Sequence, residues 1–261
     1  MGTKSRFLSE QEKIYILEQY NNGKSTKKIG YELGRNPVSI QRFLKSLGIK
    51  NLKENGYSRR TQKYILDLQN FDNEEFSDYW AGFIAADGCI YNGKGQKRLI
   101  INLSNKDKHH LEKFTVGYPV TETKRQSCVI DIPSNKLCEL LESKYNITEK
   151  KSLTLKYPIN LTNHSHFIRG YFDGDGCIYV YDNYGLRGRV FIYGTYDFLL
   201  EVQKRIPCES KIKKYSNSSI YELSVSKKAE VNKFFNFIYN NSSIYLKRKK
   251  EKFLSLTRVE L

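Results

Sequence analysis

The sequence predicts an α+β protein in which a duplicated αββαββα unit follows a small all-α segment. Three observations carry that reading. Beyond residue 75 the order of helix and strand signals repeats with an offset of 88 residues. Each repeat opens on a helix that ends in small residues followed by Asp-Gly. The first 50 residues show helical periodicity bounded by capping residues.

Taken in order, Ser9 is placed to cap a helix carrying Ile14, Leu17 and Tyr20 on one face, with Asn21-Asn22-Gly23 as its stop. A short helix over 26–33 ends at Gly34, and Pro37 opens a third helix with Ile40, Phe43, Leu44 and Leu47. The stretch 26–44 has the pattern of a helix-turn-helix, with Ile29, Leu33, Ile40 and Phe43 as core positions and Gly30 where the helices touch. In that arrangement Asn36, Ser39, Gln41, Arg42 and Lys45 of the second helix would face a DNA major groove. A three-helix bundle that binds a protein is the alternative.

Residues 51–74 are polar and basic without periodicity and read as a linker. The first repeat, 75–160, starts with a helix over 76–87. Strand signals at 89–91 and 99–104 flank the turn Asn92-Gly93-Lys94-Gly95. A helix over 107–114, a second hairpin within 120–132 and a helix over 134–144 follow. The second repeat, 161–261, matches it with a helix over 166–175, strands at 177–181 and 189–193 around the turn 182–185, and a helix over 195–206. Strands at 210–215 and 220–225 and a helix over 227–239 complete it.

The opening helices carry the chemistry. Gly82 and Ala86, and Gly170 and Gly174, are small residues four apart, so each pair makes one smooth helical face. An interior glycine costs a helix about 1 kcal/mol relative to alanine, and a close helix pair explains why it is kept. Packed along those faces, the helices would bring Asp87 and Asp175 side by side at their C-termini, where Gly88 and Gly176 stop them. Two carboxylates at the negative ends of two helix dipoles repel each other, and a bound cation relieves that. Hard oxygen ligands with room for water and phosphate suit Mg²⁺, or Mn²⁺, with backbone groups of Gly88 and Gly176 as further candidate ligands. Metal-bound water attacking a phosphodiester in line is the chemistry such a site supports.

These segments resemble the two LAGLIDADG motifs of the homing endonucleases. The first matches at Ala81, Gly82, Ile84, Ala86, Asp87 and Gly88, the second at Gly170, Asp173, Asp175 and Gly176. The resemblance covers roughly residues 75–255 and leaves out the N-terminal helices. It implies a monomer whose two sheets form a DNA-binding saddle, metal held by Asp87 and Asp175, and cleavage of both strands of a long, asymmetric double-stranded target with short 3′ overhangs. A basic residue often follows the first hairpin in that family, near the hydrolytic water, and Lys106 stands there. Its place in the second repeat holds Gly194-Thr195, so nicking or unequal strand rates become an option. Ala85 stands where the family more often has Asp, and its counterpart is Asp173.

The hairpins offer Asn92, Lys94, Gln96, Lys97, Arg98 and Asn102 in one repeat as base-reading side chains. Asp182, Asn183, Tyr184, Arg187 and Arg189 match them in the other, and Lys211, Lys213 and Lys214 suit phosphates. The run Lys247-Arg248-Lys249-Lys250 reads as a solvated basic helix face, with phosphate contact as the alternative. The four histidines lack metal spacing and read as structural.

Composition agrees with a polyanionic partner: 44 Lys and Arg face 28 Asp and Glu in 261 residues, a formal net charge of +16. An AT-rich coding sequence, which also raises Lys, Asn, Ile and Tyr, is the bland alternative. No run approaches the roughly 20 apolar residues of a spanning helix, and no signal-peptide core opens the chain, so a soluble intracellular protein with no membrane partner is expected. Five cysteines without a CxxC spacing argue against a disulfide framework or zinc. Two other readings stay open: a catalytically inactive LAGLIDADG-like DNA-binding regulator, and a maturase that binds intron RNA.

Overall fold

A computed structural model describes residues 8–21, 24–47, 49, 71–93, 95–114, 119–182, 186–216 and 219–257. The chain divides into two compact units, Met1–Asp67 and Leu68–Leu261. Residues 50–70, most of the expected linker, lie outside the described residues.

The N-terminal unit contains α1 (Glu10–Asn21), α2 (Thr26–Leu33) and α3 (Pro37–Ser46). Ser25 caps α2 through the Lys28 amide, Gly34 closes it with a left-handed φ of 59°, and Asn36 caps α3 through the Val38 amide. Ile16, Tyr20, Ile29, Ile40 and Leu44 form its buried core. One expectation changes here: Ile14 is 65% exposed, and Ile16, two positions on, takes the inward place. Ile16 and Tyr20 are the i,i+4 pair, with Leu17 at the margin. Gly30 fits because a β-carbon there would stand 2.7 Å from the Arg35 carbonyl in the turn.

The larger unit is built twice. The first half runs α4 (Glu74–Asp87), β1 (Gly88–Gly93), β2 (Gln96–Ser104), a 3-10 turn (Asn105–Asp107), α5 (Lys108–Glu112), β3 (Thr121–Glu122), β4 (Ser127–Pro133) and α6 (Asn135–Tyr145). The second runs α7 (His164–Asp175), β5 (Cys177–Asp182), β6 (Leu186–Gly194), α8 (Tyr196–Gln203), β7 (Lys211–Lys214), β8 (Tyr221–Val225) and α9 (Lys228–Tyr239). Each half thus has the expected αββαββα order. Its sheet is antiparallel, in order β1-β2-β4-β3 or β5-β6-β8-β7. Each half also ends in an element that the periodicity did not single out: a 3-10 turn at Lys151–Leu153, and helix α10 at Lys247–Thr257.

Alternation sets what each sheet shows. Ile90, Leu99, Ile101, Ile130 and Ile132 turn one face of the first sheet into the core, as Ile178, Val190, Ile192, Leu223 and Val225 do in the second. The opposite face carries Cys89, Tyr91, Arg98 and Asn102 in one half and Cys177, Tyr179, Arg187 and Arg189 in the other.

The halves join through α4 and α7, which pack on each other. A β-carbon on Gly82 would run into the Phe167 carbonyl, and one on Gly170 into the Tyr79 carbonyl. Those two contacts interchange under the 88-residue offset, so the helix pair obeys a local twofold. The backbones meet as closely as glycine allows, which is the reason for both glycines.

Candidate functional site

The two helices end together. Asn73 caps α4 through the Phe76 amide and Asn163 caps α7 through the Ser165 amide, and each helix stops at a glycine whose amide still reaches back into the last turn. A β-carbon on Gly174 would collide with the Ala86 methyl and stand 3.1 Å from an Asp87 carboxylate oxygen. Asp87 therefore lies over the residue before Asp175, and the structure brings the two expected acids together.

Their electrostatics follow. Burial and then the neighbouring Asp175 push the Asp87 carboxyl up to about 6, against the opposing pull of Lys249 and Lys151. Burial also raises Asp175, although its side chain opens to solvent, and Lys151 and Lys249 oppose that rise. Lys106 is not among the cations acting on Asp175. It is exposed on the 3-10 turn after β2, and two other lysines lie closest in effect to the acids.

Neither lysine was singled out by the sequence. Lys249 is 6% exposed and donates from Nζ to the carbonyls of Phe172 at 2.7 Å, Gly174 at 2.9 Å and Gly176 at 2.5 Å. It neutralises the C-terminal end of α7 from below. Burial lowers it to about 8 even though Asp173, Asp87 and Asp175 favour its charge. Lys151 is 8% exposed and donates to the Ala86 carbonyl at 3.3 Å, at the end of α4. Burial lowers its pKa, and the two aspartates act against that. The run 247–250 is accordingly not a solvated face: Arg248 pairs with Asp107, its Nε and Nη2 each 2.9 Å from a carboxylate oxygen. Lys250 lies 3.8 Å from the centre of the Tyr245 ring. Only positions 247 and 248 are exposed.

Asp173 is wholly buried and accepts from Tyr239 Oη at 2.5 Å, Tyr79 Oη at 2.8 Å and the Leu246 amide at 2.7 Å. Tyr79 also meets His110 Nε2 at 2.8 Å. Asp173 thus fixes the start of the segment that delivers Lys249. At the equivalent position Ala85 has no carboxyl to do this.

A hard divalent cation fits the donor set. Two crowded carboxylates want a cation, and among the described residues no group of three or more His, Cys, Asp or Glu forms. Remaining ligands would be water and phosphate oxygens, as Mg²⁺ prefers. The Gly176 carbonyl is already held by Lys249, which leaves it less available than expected.

The outer faces of the two sheets receive the remaining residues selectively. Gln96, Arg98 and Asn102 share the outer face of the first sheet, with Arg98 bound to Asp131 in both arms of its guanidinium. Lys97 alternates to the other face and pairs with Glu142 of α6, and Asn92 is its register partner. On the second sheet Arg187, Arg189, Lys211 and Lys213 share the outer face, while Lys214 alternates away. Arg189 stacks over Tyr181 at 5.6 Å. Lys94, Asn183 and Tyr184 lie outside the described residues. In the N-terminal unit Gln41, Arg42 and Lys45 are exposed on α3 and Ser39 is half-buried, while the Asn36 side chain is engaged as the helix cap.

No family model and no curated protein sequence matches the chain. Solved structures do match. The LAGLIDADG meganuclease I-AabMI bound to uncleaved DNA superposes with a TM-score of 0.52 at 14% identity, over 69% of this chain and 88% of that one. The I-LtrWI LAGLIDADG homing endonuclease bound to target DNA gives 0.51 at 14% identity, over 72% and 92%. The meganuclease I-SmaMI bound to uncleaveable DNA gives 0.51 at 11% identity, over 69% and 88%. The chain therefore has the two-unit α+β fold of the LAGLIDADG endonucleases, as its motifs led one to expect.

Proposed function

We propose that the protein is a divalent-metal-dependent endonuclease that binds double-stranded DNA across its two sheets and hydrolyses phosphodiesters at the Asp87–Asp175 pair. The observation that carries this is the juxtaposition of those carboxylates at the fused ends of α4 and α7, at an electrostatic cost that binding alone does not require. Proteins of the same fold that are described as meganucleases or homing endonucleases bind DNA, which supports the same partner here.

Each aspartate would hold Mg²⁺ or Mn²⁺, which when bound activates water and steadies charge on the reacting oxygens. The chain's own groups do the rest. Lys249 and Lys151 neutralise the helix ends beneath the acids. Arg187, Arg189, Lys211 and Lys213 on the second sheet contact phosphates and major-groove edges, as Arg98, Gln96 and Asn102 do on the first. The N-terminal unit adds a helix-turn-helix contact through Gln41, Arg42 and Lys45, lengthening the site. Residues 1–67 hold 14 Lys and Arg against 6 Asp and Glu, so this unit is itself basic.

The test is incubation with a randomised duplex library, selection of bound sequences in Ca²⁺, and transfer of the recovered duplex to Mg²⁺. Discrete cuts that require Mg²⁺ or Mn²⁺ support the reading. Tight, salt-sensitive binding with no cut in either metal would turn it into a DNA-binding regulator.

A further inference from the structure

The outer faces of the two sheets share a register and differ in what they carry. Cys89 stands opposite Ile100 in the first sheet and Cys177 opposite Phe191 in the second, which aligns the faces position by position. Tyr91 and Tyr179 are equivalent, at 57% and 59% exposed. Elsewhere the second sheet carries rings that the first lacks: Tyr181, Phe191 and Tyr193 stand where the first has Gly93, Ile100 and Asn102. The Tyr179 and Tyr181 rings lie 5.8 Å apart and within 25° of parallel, and Tyr193 meets Tyr215 edge to face at 5.1 Å. The cations differ too. Asp131 holds both arms of the Arg98 guanidinium, whereas Ser224 takes that carboxylate's place in the second sheet and Arg189 lies over the Tyr181 ring. Arg187, Lys211 and Lys213 are exposed on the same face.

A duplex gives such rings little to do. Its bases are stacked at about 3.4 Å per nucleotide along a strand. They offer only their edges in the grooves, where hydrogen-bond donors and acceptors read them. Same-face positions on a β-strand are about 6.8 Å apart, a spacing that suits bases splayed out of a stack. Rings beside a cationic track are the equipment that unpaired strands require.

We propose that the outer face of the second sheet is a platform for single-stranded DNA, a partner distinct from the duplex of the nuclease reading. Bases stack on Tyr179, Tyr181, Phe191 and Tyr193, and Arg187, Arg189, Lys211 and Lys213 take the phosphates. Two observations favour DNA over RNA. Tyr193 also lines the cleft that holds Asp175, so the platform leads to the acids proposed to act on DNA. Among the described residues Glu222 is the one carboxylate on this face that a ribose 2′-hydroxyl would seek, and Tyr193 already bonds to it.

The experiment uses the full chain in EDTA and follows the fluorescence anisotropy of three labelled probes of about 20 nucleotides: oligothymidylate, oligouridylate and a duplex of random sequence. Oligothymidylate should bind within about tenfold of the duplex. Tyr179→Ala and Tyr181→Ala should each weaken the single strand about tenfold and the duplex about twofold at most. Tyr179→Phe, which keeps the ring, and Tyr91→Ala, on the other sheet, should leave single-strand affinity within about twofold of wild type. Because a ring carries no charge, the ratio between wild type and Tyr179→Ala should persist as salt rises, although both affinities fall. Oligothymidylate bound more than about tenfold more weakly than the duplex would overturn the platform. So would equal effects of Tyr91→Ala and Tyr179→Ala, or equal losses for single strand and duplex. Oligouridylate bound about tenfold or more tightly than oligothymidylate would overturn the assignment to DNA. Each readout is binding without metal, so the nuclease reading stands or falls separately on cutting.

Discussion

The two halves of the larger unit face one problem and meet it with different parts. In each, a helix ends in a carboxylate at its own negative pole, and a lysine from further along the chain is buried beneath that end. In the first half the lysine comes from a 3-10 turn and, among the described residues, makes one long bond. In the second it comes from α10, makes three bonds, and is delivered by a segment tied to Asp173. A fold can repeat element by element while the groups that tune its centre diverge, because packing fixes the helix pair and leaves the supporting charges free to vary.

That contrast can be broken from the second half. Asp173→Ala would leave two tyrosine hydroxyls and the Leu246 amide without their acceptor. A loss of about 4 kcal/mol is expected by denaturant titration. Lys249→Ala, which takes a donor from three carbonyls and leaves that of Phe172 with the Gly176 amide, should cost about 3 kcal/mol, against about 1 kcal/mol for Lys151→Ala. Equal costs for the two lysines would erase the difference drawn here.

The shared part of the two halves is tested by Gly82→Ala and Gly170→Ala. Each methyl meets a backbone carbonyl of the other helix, so both should lose about 2 kcal/mol, and by similar amounts because the contacts are twofold-related. Thermal or denaturant midpoints would check this.

A further effect is a pH dependence. With Asp87 raised to about 6, the metal-free folded state binds more protons than the unfolded one between roughly pH 4 and 6. Asp87 therefore lowers stability progressively as pH rises through that window, and Asp87→Asn should remove that fall in thermal midpoint measured in EDTA. Divalent affinity should strengthen over the same range as the proton leaves.

Much of this was legible beforehand, and the rest was hidden for identifiable reasons. The αββαββα order, the small-residue helix faces and the Asp87–Asp175 pair follow from local spacing, which a repeat reinforces. Lys151 and Lys249 were hidden because they are placed by tertiary packing 64 and 74 residues after their helix ends. Inside a run of four basic residues, Lys249 looks like any solvated lysine until α10 buries it. Lys106, named by resemblance alone, stands exposed on the turn after β2. Lys97 and Lys214 were grouped with their neighbours, although strand alternation sends adjacent side chains to opposite faces. Ile14 and Ile16 differ by two positions, which a short helix with several apolar residues leaves undecided.

The most direct test of the central claim compares Asp87→Asn and Asp175→Asn with the wild-type protein, measuring duplex affinity in Ca²⁺ and cutting in Mg²⁺ on the same selected sequence. Affinity within a few-fold of wild type with cutting reduced about a thousandfold or more is the expected result. Full cutting by both variants would contradict the assignment of the reaction to this carboxylate pair.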